Sequence, residues 1–76
     1  MSYGYSLNVI LLNQKAEQRL LGVKLGKKCI KCGVPVSRVA KELGVSRQTV
    51  YNWFIGAYEP KSNYTEAVKQ LIKDIK

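Results

Sequence analysis

The chain has 76 residues, with 13 Lys plus Arg against 5 Asp plus Glu and no His, a net charge of +8. So short a chain buries only ~60% of its unfolded surface, so one small core is expected and no room for a catalytic cleft beside a binding module. The charge selects nucleic acid or an anionic membrane as partner. The membrane is disfavoured, because the longest mainly apolar run, LNVILL at 7–12, is far short of the ~20 residues of a spanning helix, and no basic amphipathic helix has an aromatic-rich face.

In chain order, the first segment is ambiguous. Tyr3, Tyr5, Leu7, Val9 and Leu11 alternate as in a strand, while Leu7, Ile10 and Leu11 also fit a helix. Both readings stay open for 1–12. Asn13 is placed to cap a helix from Gln14 to about Leu21. The opening MSYGYSLNVILLNQ carries neither a basic leader nor a cleavage signature, so a cytoplasmic location is expected.

Gly22, Gly26, Gly33, Gly44 and Gly56, with Pro35 and Pro60, then punctuate the chain into short helices. KLGKKCIKC at 24–32 predicts a helix with Leu25, Cys29 and Cys32 on one side and Gly33 as a left-handed cap. The CxxC of Cys29 and Cys32 raises zinc and redox chemistry. Zinc needs four ligands, and two thiols without an imidazole do not supply them; no βαβ context supports a redox site. The pair reads as small buried apolar residues, with a zinc shared across a dimer as the other reading. No metal and no cofactor are expected. Lys27, Lys28 and Lys31 read as a solvated face.

Pro35 suits a helix start. VSRVAKEL at 36–43 places Val36, Val39, Ala40 and Leu43 inward, and Gly44 ends that helix. Ser46 is a good N-cap for a third helix running to Ile55, with Gly56 as its cap. In the fourth, Asn63 as cap and Glu66 three residues on resemble a capping box. Tyr64, Val68, Leu71, Ile72 and Ile75 form its inward stripe, and Lys73 and Lys76 complement its dipole.

The third helix carries the chemistry. At ~100° per residue, Val50 and Trp53 fall together on the inner face. Gln48, Tyr51 and Asn52 fall opposite, and Arg47 flanks them near the N-terminus. Arg pairs with guanine, Gln and Asn pair with adenine, and Tyr contacts backbone or a thymine methyl. A helix fits the major groove and reads with its N-terminal residues. Ala40, Gly44, Val50 and Trp53 have the spacing of a helix-turn-helix, with a small residue at the crossing and a glycine in the turn. Trp53 reads as core by its phase. Phe54 and Ile55 add two apolar side chains directly after Trp53, and they need cover from the N-terminal segment or a partner chain.

Residues 36–60, VSRVAKELGVSRQTVYNWFIGAYEP, resemble the helix-turn-helix of the lambdoid repressor and Cro superfamily, and GVSRQTVYNWF is similar to small phage-encoded helix-turn-helix proteins. The resemblance extends more weakly from Leu25 to the C-terminus. It implies an all-α, compact bundle of four or five helices that binds operator DNA as a homodimer and regulates transcription as a repressor does. Carried over by position, Arg47, Gln48 and Asn52 correspond to base-reading residues, and Ser46, Tyr58 and Lys61 to backbone-contacting ones. With Thr49 and Tyr51 they make the candidate DNA-binding set. The family often has a hydroxyl residue and then Gln at the start of its second helix, the Gln supporting a phosphate contact; this chain departs from that pattern with Pro35 and Val36. Cys29 stands where a charged residue often forms a buried ion pair.

The expected organisation is an N-terminal segment over 1–23, partly helical, for packing or dimerisation, and a helix-turn-helix domain over 24–76. The expected partner is double-stranded DNA. No enzyme is expected: there is no His, few carboxylates and no phosphate-cradling Gly loop. The rival readings are a protein-interaction module that uses the same fold to inhibit a host protein, and a DNA-recognition accessory factor of a recombination system.

Overall fold

A computed structural model of the chain describes residues 5–75, so Tyr3 and Lys76 lie outside the described residues. Among the described residues the regular elements are five helices: α1 (Leu7–Lys15), α2 (Leu21–Cys32), α3 (Val36–Leu43), α4 (Arg47–Phe54) and α5 (Ser62–Asp74). The fold is all-α, as the spacing of apolar residues predicts. It measures 30 × 22 × 21 Å along its principal axes.

α2 is the central element and packs against α1, α4 and α5. Val23, Leu25 and Cys29 from α2, Val39 from α3, Val50 and Phe54 from α4, and Val68 from α5 are fully buried. The turns behave as their residues dictate. Gly33 and Gly44 adopt left-handed backbone after α2 and α3. In each case the residue beyond donates back into the last turn, Val34 N to Cys29 O at 2.9 Å and Val45 N to Ala40 O at 3.0 Å. This satisfies carbonyls that the helix end leaves open.

Three expectations from the sequence need correction. Residues 14–21 are not the first helix. α1 covers Leu7–Lys15 with Ser6 as its N-cap, accepting from Val9 N. Asn13 is inside that helix and buried, not its cap. The segment 16–20 is irregular, and Leu20 is the extended residue that precedes α2. Second, the helix expected over 24–32 starts earlier: α2 begins at Leu21 and runs on through Gly22, which does not break the chain. Third, the cap of α5 is Lys61, which makes no side-chain cap bond, and Asn63 is already helical. The expected capping box there does not form.

The two glycines of α2 have a structural role. An added Cβ at Gly22 would lie 2.8 Å from Trp53 O, and one at Gly26 would lie 2.7 Å from Phe54 Cγ. Only residues without a side chain let the Trp53 backbone and the Phe54 side chain of α4 approach so closely. The spacing of four puts both on one face of α2.

The N-terminal segment supplies the cover that Phe54 needs. The Tyr5 ring lies 6.1 Å from the Phe54 ring, and its hydroxyl donates to Val34 O at 2.6 Å. Burial pushes the ionisation of that phenol well above its usual range. Asn13, 3% exposed, donates from Nδ2 to Phe54 O at 2.7 Å and Val23 O at 3.2 Å. One amide thus ties α1 to α2 and to the end of α4. Asn13→Ala should cost roughly 1–3 kcal/mol, because two buried carbonyls lose their donor. Chemical denaturation with an unchanged slope will register that loss; an unchanged midpoint would mean that α1 is not anchored there.

Candidate nucleic-acid interface

α3, the Gly44 turn and α4 present one side of the molecule. The extended Ser46 accepts from Thr49 N at 3.1 Å, and its hydroxyl sits 2.9 Å from Thr49 Oγ1. This cap fixes the first turn of α4. Val50, Trp53 and Phe54 bury the opposite face of the helix. The Trp53 ring lies 5.8 Å from that of Tyr64 on α5. Trp53 is therefore a packing residue, and its phase in the sequence foretold this.

What remains outward at the start of α4 is Arg47 and Gln48, both exposed, with Asn52 half-exposed one turn on. Gln48 Nε2 donates to Asn52 Oδ1 at 3.2 Å. The two amides therefore hold each other in a defined orientation. That leaves the Gln48 carbonyl and the Asn52 amide hydrogens available to an incoming edge. Arg47 has no acidic partner: among the described residues the ion pairs are Arg19–Glu17 and Arg38–Glu42.

Beyond α4, the chain turns at Gly56, whose φ is +78°. Asn52 O accepts from Ala57 N at 2.9 Å and Tyr58 N at 3.3 Å, which folds the loop back against the helix. A concavity of about 460 Å³ results, lined by Thr49, Asn52, Tyr58 and Lys61 among others. Four of the candidate residues thus converge on it. Tyr58 is 67% exposed, and Lys61 is exposed. Tyr51 is placed differently. It is half-buried and packs on the core, away from that concavity.

One residue in this region gave no signal in the sequence. Glu59 Oε1 accepts from Leu21 N at 3.0 Å, across 38 positions. Leu20 provides no side-chain cap, so Glu59 supplies the acceptor and the negative charge that the α2 N-terminus favours. The same bond fixes the loop that carries Tyr58 and Lys61. No local pattern links Glu59 to Leu21, so only the tertiary structure could reveal it.

The two cysteines lie apart from this face. Cys29 is fully buried, and Cys32 is half-buried at the edge of α2. Burial pushes the Cys29 thiol up to about 12. It stays protonated and unreactive at neutral pH, because the thiolate is the nucleophile. Iodoacetamide on the folded protein should therefore alkylate Cys32 long before Cys29, read by mass spectrometry of the digested protein. The buried thiol also binds its proton more tightly than the unfolded one does. Its contribution to stability is whole below about pH 9 and falls as pH rises towards 12, since the unfolded chain then holds fewer protons.

A short helix set across another by a glycine turn, with Arg, Gln and Asn on its free face, defines a helix-turn-helix protein of the DNA-binding class. A family model described as a homeodomain-like domain matches residues 13–58. The chain belongs to this family, more than half of it lying within the match. The matched span runs from Asn13 through α2, α3 and α4 to Tyr58, so the helix-turn-helix lies inside it. The match gives the helix-turn-helix superfamily that the sequence resembles, without its narrower lambdoid grouping. No curated protein and no solved structure matches the chain.

Proposed function

We propose that this chain binds double-stranded DNA sequence-specifically, with α4 in the major groove, and acts as a small transcriptional regulator of the repressor type. The observation that carries the reading is the outward set at the start of α4, where Arg47 and the bonded pair Gln48–Asn52 stand free while every large apolar side chain of the helix is buried. Arg47, Gln48 and Asn52 are the base readers, with Tyr51 at the edge of the same face. Tyr58 and Lys61, on the loop tied down by Glu59, contact the phosphate backbone, helped by Ser46 and Thr49 at the helix start. The residues that resemble the lambdoid repressor and Cro proteins, VSRVAKELGVSRQTVYNWFIGAYEP, support a phage or bacterial operator and a dimer on a two-fold site. The protein works without catalysis, in the cytoplasm where its DNA is.

Duplex affinity measured across salt concentrations tests this. A slope of log affinity against log salt of roughly −0.9 per phosphate neutralised is expected, so several contacts give a steep loss. A flat response, or no duplex binding at low salt, would favour the protein-interaction reading, whose apolar contacts depend little on salt.

A further inference from the structure

The proposed duplex face draws on Arg47 and Lys61, a small part of the 13 cations. The densest positive charge is elsewhere. α2 carries Lys24, Lys27, Lys28 and Lys31 and no acidic residue. Their spacing of three, four and seven puts them in one stripe. The buried face of α2, with Gly22, Gly26 and Cys29, meets α4 on the opposite side of the helix. The stripe therefore faces away from the DNA-reading helix. Like charges at these spacings weaken a helix, and no ion pair among the described residues relieves them. Lys28 Nζ reaches only a carbonyl, Ile75 O at 3.1 Å.

The stripe borders a groove. Lys24, Lys27, Lys28 and Lys31, with Cys32 and Ile72, line a cavity of about 360 Å³ between α2 and α5. Lys69 and Lys73 of α5 continue the rim beside it, with Glu66 the one acidic residue among its lining. Its floor is apolar, formed by Ile72, Cys32 and the lysine stems.

We propose that the α2–α5 groove docks an acidic amphipathic helix of a partner protein, carboxylates on the lysine stripe and one or two apolar side chains on Ile72 and Cys32. Charge complementarity fixes the sign of the occupant. The apolar floor separates a peptide from a second nucleic acid, because a phosphate backbone has nothing to insert there. The stripe is roughly 10 Å long, at ~1.5 Å per residue over seven steps. That suits a partner helix with acidic residues at the same three- and four-residue spacing. Because the groove and α4 lie on opposite sides of α2, partner and duplex can bind together. This surface is independent of whether α4 reads DNA.

The test uses a labelled 16-residue helical peptide with Glu on one face and Leu and Phe on the other. Two controls replace every Glu by Gln, or every Leu and Phe by Ala. The whole chain should bind the first peptide saturably, and each control at least tenfold more weakly. Lys24→Gln/Lys27→Gln/Lys31→Gln should also lose at least tenfold, while Arg47→Ala keeps peptide binding. These lysines are exposed, so the triple variant should fold and melt no lower than the parent, its like-charge crowding relieved. No saturable binding by the parent overturns the proposal, as does equal binding by the triple variant. Equal binding of the alanine peptide would mean that the apolar floor is not used, and overturns it too. A larger loss for a 20-base-pair duplex than for the peptide in the triple variant would make the groove a nucleic-acid site instead.

Discussion

Gly26→Ala should melt well below the parent protein. Glycine inside a helix normally costs stability, and replacing it by alanine in an exposed helix returns up to ~1 kcal/mol. Here the sign reverses. The new methyl would stand 2.7 Å from Phe54 Cγ and 2.8 Å from both Phe54 Cβ and Asn13 Nδ2. Phe54 is fully buried, and Asn13 is held by two hydrogen bonds, so neither can yield cheaply. Overpacking of this kind costs ~1–3 kcal/mol, and more where the neighbours are fixed. Gly22→Ala meets backbone, Trp53 O at 2.8 Å, and should be at least as damaging. In a domain of this size each kcal/mol moves the melting temperature by ~4–8 °C. Gly44→Ala is the control. It faces open space and costs only its left-handed backbone, φ +68°, on the order of 1–2 kcal/mol. If Gly26→Ala melts at or above the parent, the close approach of α2 to α4 is wrong.

The second large effect concerns the outward face of α4. Gln48→Ala and Asn52→Ala should each cost ~1–3 kcal/mol on the best duplex and relax the preference at one or two base pairs, because a base-edge hydrogen bond is lost. The two amides are bonded at 3.2 Å. Their double variant should therefore cost less than the sum, since either single change already frees the other side chain. Lys61→Ala removes a charge on the loop instead. It should weaken all sequences about equally and reduce the salt slope by about one. Melting curves must stay close to the parent, since Gln48 and Lys61 are exposed. Equal loss on cognate and scrambled duplex for Gln48→Ala would remove it from base reading.

Much of this arrangement was legible in the residues. The helix-turn-helix was readable because its signals are local. Gly44 ends one helix, Ser46 caps the next, and Val50 and Trp53 repeat at helical spacing with the polar set between them. The stripe of α5 was readable for the same reason, through Val68, Leu71, Ile72 and Ile75. Where the signal was tertiary it was lost. Gly22 and Gly26 look like punctuation in a string, because nothing in the sequence says that Trp53 and Phe54 will press on them. Asn13 looks like a cap, because asparagine is favoured there; its buried bonds to Val23 and Phe54 depend on α1 lying across α2 and α4. Asn63 with Glu66 has the pattern of a capping box, yet α5 starts earlier, at Ser62. Lys27, Lys28 and Lys31 read as an ordinary wet face until α5 is placed beside them.

Selection of bound sequences from a random duplex pool, run in parallel for the parent and for Gln48→Ala, most directly tests whether α4 reads DNA. The parent should enrich a short motif, and a two-fold symmetric one if two copies bind together. The Gln48→Ala pool should keep that motif but lose information at one or two positions in it. If the parent enriches no motif, or if a folded Gln48→Ala enriches the same motif with the same information at every position, then the start of α4 does not read base pairs.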